Sequence, residues 1–155
     1  MNLILERTSQ VRYFTNMRWV LGALALDASQ FDWYVSDVET NCGSDVFAPD
    51  DRWMGGEELQ RVLAEHEIQF IWAVFSAFPV GTRVAVSASP YVDGNPTYWR
   101  AGRVSPQLED ALFEIACWDS SATILVGLSE AEQRSFCRAY PDAKPLDQAA
   151  SHSAG

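Results

Sequence analysis

The chain has 155 residues, 48% of them hydrophobic and 21% charged, a size and balance that suit one folded domain and exclude general disorder. Eleven Lys and Arg stand against 21 Asp and Glu, a net charge of -10, which opposes binding to a phosphate backbone, so nucleic acid is not expected as a partner. A membrane partner is not expected either: Arg18 and Gly22 dilute the best candidate stretch, Val11 to Leu26, so that no run approaches the roughly 20 apolar residues of a spanning helix.

Asn2 to Glu6 reads as a short strand. After it Val11, Phe14, Met17, Leu21 and Leu24 recur at near-helical spacing, which predicts a helix over 10–25 with Ser9 as its cap. The aromatic and β-branched run FDWYVSDVE predicts a strand over 31–39, with Phe31, Trp33 and Val35 on one face and Asp37 following them. Residues 40–53 hold Gly43, Ser44, Asp45, Pro49, Asp50 and Asp51 and read as a loop. Gly55 and Gly56 precede Glu57 and Glu58, acids that suit the positive end of a helix expected over 55–66. Leu59, Val62, Leu63 and His66 form its expected inner stripe.

The most apolar run, IQFIWAVFSAF at 68–78, is closed by Pro79. It reads as a strand buried on both faces, although a continued helix would also keep Leu59, Val62, His66, Phe70 and Val74 on one side. TRVAVSA and then PYVDGNPTYWR suggest a hairpin or loop excursion turning at Asp93, Gly94 and Asn95. Strands are expected over 111–118 and 122–127, and the link Asp119, Ser120, Ser121 is short enough to join only antiparallel neighbours. Ser129 and Glu132 have the spacing of a capping box, which starts a helix over 129–139 with Phe136, Cys137 and Tyr140 inward. Beyond it DAKPLDQAASHSAG is small, polar and aperiodic. The expectation is therefore one α+β domain over 1–140, a mostly antiparallel sheet packed by about three helices, with a flexible tail over 141–155.

Catalytic chemistry has few candidates. Cys42, Cys117 and Cys137 are an odd set with no close pair, which fits reduced thiols and a cytoplasmic protein, as does an N-terminus without the order of a secretion signal. Cys117 stands at a strand end where a thiol can act as nucleophile, but Phe113 and Ile115 share its face, which favours a small buried hydrophobe. His66 lies between Glu65 and Glu67 and could be a general base, yet its place on the apolar stripe favours a structural role. With two histidines in the chain, one of them His152 near its end, neither a zinc site nor another cofactor site is expected. Asp45, Asp50 and Asp51 could converge on a divalent cation but lack the spacing of a calcium loop.

Charge is the stronger signal. Between Trp19 and Asp51 there is no Lys or Arg, while Asp27, Asp32, Asp37, Glu39, Asp45, Asp50 and Asp51 all fall there. A one-sided field of this kind speeds encounter with a basic partner, and the alternative is an acidic loop that serves solubility. Trp53 stands two residues after the last of these acids, and a tryptophan beside a charged loop is a common interface anchor. The order of the strand Trp33 to Asp37, the Gly56, Glu57, Glu58, Leu59 helix start, the CWDSSATIL hairpin and the capped last helix resembles small uncharacterised bacterial proteins of acidic, single-domain type. Such proteins are often immunity partners of polymorphic toxins. The resemblance covers residues 31 to 140, implies a binding role and carries over no functional residue. The expected function is a non-catalytic binding protein that neutralises a basic toxin or nuclease through Asp37, Glu39, Asp45, Asp50, Asp51 and Trp53. The alternative is a small hydrolase or transferase using Cys117 with His66, or a carboxylate site at Asp37 and Glu39.

Overall fold

Residues 1–100 and 104–150 are described by a computed structural model. Seven strands among them, β1 (Leu3–Glu6), β2 (Phe31–Thr40), β3 (Arg52–Met54), β4 (Phe70–Pro79), β5 (Phe113–Trp118), β6 (Ala122–Val126) and β7 (Lys144–Pro145), form one sheet in the order β3-β2-β4-β5-β6-β1-β7. Every pairing is antiparallel, so the fold is α+β as the mixed patterns require. The run at 68–78 is a strand, and β4 lies between β2 and β5 with both faces covered. β5 and β6 form the expected hairpin, its turn made by Asp119 and Ser120 at positive φ and closed by the Ser121 amide on the Trp118 carbonyl at 2.9 Å.

One face of the sheet carries Leu3, Leu5, Trp33, Val35, Phe75, Phe113 and Leu125 and is packed by the helices. These are α1 (Met17–Ala23), α2 (Gly56–Glu65) and α3 (Glu130–Ala139). Each follows the rule that a half-polar helix is held by its apolar stripe: Met17, Val20 and Leu21, then Leu59 and Leu63, then Phe136 face the core. α3 begins in the predicted capping box, with Ser129 and Glu132 each bonding the other's backbone amide at 3.2 and 2.9 Å. α2 sits close on the turn before β2. A side chain on Gly56 would overlap the carbonyl oxygens of Ala28 and Phe31, so only glycine permits that approach.

Three expectations are corrected. The first helix covers 17–23 rather than 10–25, because Thr15 exchanges two backbone bonds with Phe70, at 3.2 and 2.9 Å. That extended pairing ends the helical path, and Asn16, not Ser9, caps the helix through the Arg18 and Trp19 amides. His66 is exposed: α2 ends at Glu65 and the next residue turns extended, which takes the imidazole off the apolar stripe. The segment assigned to a tail is structured as far as residue 150. Lys144 and Pro145 pair with β1, Leu146 is buried, and Glu6, a wholly buried carboxylate, meets Lys144 Nζ at 3.1 Å and the Ala150 amide at 2.7 Å. A carboxylate withdrawn from water needs a cation and donors, and the chain's single lysine supplies the cation. Residues 151–155, the rest of that segment, lie outside the described residues.

The second face is covered by a segment with little regular structure, from Ser89 to Gln107 with residues 101–103 outside the description. Val92, Tyr98, Trp99 and Val104 pack there on Ile4, Val74, Ala116, Ile124 and Val126. The loop excursion read from the sequence is thus the lid of a second apolar layer, with one turn of 3-10 helix at Pro96–Trp99.

Candidate functional site

β2 is irregular at its end. Its register with β4 shifts between Ser36 and Glu39, and Asp37 takes a left-handed φ of 55°, the conformation of a bulge and one that Asp tolerates better than most residues. The bulge aims the Asp37 carboxylate at the lid: Oδ2 accepts from the Val92 and Asp93 amides, both at 2.9 Å. The Asp37 amide in turn donates to Asp51 Oδ1 at 3.0 Å. Asp37 and Asp51 are therefore brought together, but as internal fasteners. Asp32 is engaged as well, accepting from Arg83 at 3.2 Å and from the Gly81 amide at 3.3 Å.

Glu39, Asp45 and Asp50 differ. All three side chains are exposed, and among the described residues none accepts a hydrogen bond or pairs with a base. The nearest base in sequence is turned inward: Arg52 Nη1 donates to the Ala48 and Asp50 carbonyls at 2.8 and 3.1 Å, and its guanidinium lies 4.8 Å from the Phe47 ring centre. Guanidinium bonded to carbonyls and stacked on a ring does little to neutralise the neighbouring carboxylates.

Trp53 belongs to β3 rather than to a loop. Its ring is half-buried between Tyr34 and Phe78, with centroids 5.3 and 5.0 Å away, and Arg83 lies 5.8 Å from it. It braces the edge of the sheet beside the acids and does not project from it. A different tryptophan stands next to a free acid. Trp72 is the cross-strand partner of Glu39, and it stacks edge-on against Trp118, which meets Trp99, at 6.2 and 5.2 Å. Sequence reasoning counted Trp72 as part of a buried run. The bulge that sets it opposite Glu39 has no sequence signature beyond the aspartate at 37.

The loop after β2 folds back on Phe47 and leaves a cleft of about 200 Å³ lined by Val38, Glu39, Thr40, Cys42, Phe47 and Pro49. Cys42 is half-buried at its wall, its thiol donating to Asn41 Oδ1 at 3.3 Å. Asp45 lies on the same loop, between Ser44 and Val46.

The catalytic candidates are placed apart. Cys117 is wholly buried in β5, burial pushes its thiol up to about 12 against a weaker opposing hydrogen bond from Thr15, and no thiolate forms near neutral pH. His66 is exposed at the end of α2 and makes no hydrogen bond to Cys117. One carboxyl perturbed by burial is Glu114 on β5, which accepts from Tyr98 Oη at 2.6 Å and from the Gln107 amide at 2.8 Å. Burial raises its pKa and outweighs these bonds, and burial likewise raises Tyr98 well above the usual phenol range. Both groups are buried where the lid meets the sheet. Among the described residues no three His, Cys, Asp or Glu side chains are grouped to hold a metal ion, and no helix is long and apolar enough to cross a membrane. Compared with protein-family models, with curated proteins and with solved structures, the chain matches none.

Proposed function

We propose that the chain is a non-catalytic protein that binds a basic protein partner through Glu39, Asp45 and Asp50 at the acidic edge of its sheet. The observation that carries this reading is the lack of internal compensation. Asp32, Asp37 and Asp51 serve the fold, Arg52 is turned onto main-chain carbonyls, and three carboxylates remain for a cation from outside. Clustered free carboxylates speed docking to a cationic cleft, such as that of a toxin or nuclease built to grip an anionic substrate, and the immunity-type resemblance points to the same class of partner. Three free thiols suit a reducing compartment, which supports a cytoplasmic setting. Trp53 supports the edge from behind, so its removal acts on binding through the fold.

The test is to isolate the partner from the native cell and to measure its affinity against salt. The triple change Glu39→Gln, Asp45→Asn, Asp50→Asn is expected to weaken binding by about 100-fold at low salt, mostly through slower association, while leaving the folded fraction unchanged. A partner whose affinity is indifferent to salt and to these three substitutions overturns the proposal.

A further inference from the structure

We propose that Ser76 and Glu114 are a proton-operated latch for the lid: the Glu114 carboxylic acid donates to the Ser76 hydroxyl, and loss of that proton favours an opened segment from Ser89 to Gln107. Placement comes first. Ser76 on β4 and Glu114 on β5 are direct cross-strand partners, and both are wholly buried. Side chains paired in this way share a face and stand about 4.5–5.5 Å apart at Cβ. Among the described residues Ser76 Oγ is the one buried side-chain oxygen or nitrogen without a hydrogen-bond partner. Native cores rarely leave such a group unpaired, so the missing bond falls to the polar group across the strand pair.

Donors and acceptors around the carboxyl select its form. Glu114 Oε1 accepts from the Gln107 amide at 2.8 Å and Oε2 from the Tyr98 hydroxyl at 2.6 Å. Tyr98 Oη in turn accepts from Gln107 Nε2 at 2.6 Å, and Gln107 Nε2 also donates to the Tyr91 carbonyl at 3.0 Å. These donors are all engaged, and the neutral acid brings one more. Its O–H belongs on Oε1, because Oε2 faces the phenol hydrogen, and a turn about the Ser76 Cα–Cβ bond presents Oγ to it. Burial raises the pKa of Glu114 and favours the same neutral form, with no cation beside it to offset a charge. The lid brings Tyr91, Asp93 and Tyr98, β2 brings Tyr34 and Asp37 from beyond β4, and Cys117 lies on the other face of β5, while β4 and β6 present no ionisable group on this face. Arg100, the base among the lid's described residues, is exposed. Tyr98 and Gln107 both belong to the lid, so lifting it is how an ionised Glu114 regains water.

Two measurements on the full chain test the latch: the carbon NMR titration of the Glu114 side-chain carboxyl, and amide exchange at Tyr91 and Val92, taken as protection factors over the same pH series. Ser76→Ala removes the acceptor of the acid form and is expected to lower the Glu114 midpoint by about half a pH unit or more. If Ser76 were instead a third donor to a carboxylate, the substitution would raise the midpoint, so a rise or no change overturns the latch. Glu114→Gln keeps a donor for Ser76, cannot ionise and leaves Asp37 in place on the Val92 amide, so the ratio of parent to variant protection isolates Glu114. That ratio is expected to fall from about pH 4.5, the ordinary value of this carboxyl, and to level off above its native midpoint. The whole fall is about tenfold for each unit between the two, with amides in β4 unchanged. A ratio that stays flat with pH, or a fall shared by the β4 amides, also overturns the proposal.

Discussion

Beneath the helices the sheet presents Trp33, Val35, Phe75 and Phe113, whereas beneath the lid it presents Tyr34, Ser36, Ser76 and Glu114. The contrast follows from what covers each face. A helix satisfies its own backbone and needs from the sheet only apolar area, so the face under α1, α2 and α3 is almost wholly apolar. Among the described residues of the segment from Ser89 to Gln107 there are few internal backbone bonds, and their amides and carbonyls must find partners on the sheet. They do so on side chains: Ser36 donates to the Pro90 carbonyl at 2.7 Å, Asp37 receives the Val92 and Asp93 amides, and Glu114 receives the Gln107 amide. Packing thus holds one cover, and packing with a row of polar latches holds the other.

The comparison breaks first on the helix side. Phe75 is fully buried and meets Trp33 and Phe70 at 6.3 and 5.0 Å. Phe75→Ala is expected to cost about 3–5 kcal/mol, as a cavity in a core that cannot collapse, and to lower the urea midpoint of the whole molecule in one transition. Loss of the lid alone, with the sheet still protected, would show that the helical face is not the cooperative core.

A smaller effect is expected on the latched side. Asp37→Gly keeps a residue at ease with the left-handed φ of 55° and removes only the carboxylate, which leaves the Val92 and Asp93 amides without their acceptor. The expected cost is about 1–3 kcal/mol, and it should be local. Amide exchange at Val92 and Asp93 should quicken while amides in β4 and β5 keep their protection. Uniform loss of protection would mean that the lid and the sheet open together.

The same contrast decides what the sequence revealed. Apolar periodicity reports faces that pack on regular elements, so β2, β4, β5, β6, α2 and α3 were legible within a few residues. It is silent about contacts whose logic is polar and distant. Asp37 to Val92, Glu114 to Gln107 and Glu6 to Lys144 join residues that no local pattern connects, and so the lid and the last strand read as loop and tail. The acidic segment was legible as charge, but charge alone does not separate fasteners from free groups. Asp37 and Asp51 were grouped in sequence with Glu39, Asp45 and Asp50, and only the bulge and the turn of Arg52 set them apart. Trp53 misled for a related reason: β3 is three residues long, too short for alternation to show.

The finest distinction concerns which force dominates at the central latch. Glu114 is wholly buried, and two effects compete over its proton. Burial favours the neutral acid, while the Tyr98 hydroxyl and the Gln107 amide favour the carboxylate. Burial is the larger, so the native state holds this proton to higher pH than the unfolded chain, whose carboxyl titrates near 4.5. When the native state binds more protons, stability falls as pH rises. The contribution is full below about pH 4.5 and declines as pH climbs through the raised native value, with a slope of at most about 1.4 kcal/mol per pH unit for one proton. Glu114→Gln keeps the shape and cannot titrate. The stability of the parent minus that of the variant, from urea unfolding at a series of pH values, should therefore decrease upward through this window and then level off. A difference that grows with pH would mean that the two donors outweigh burial, and that the latch works as an ion held by hydrogen bonds.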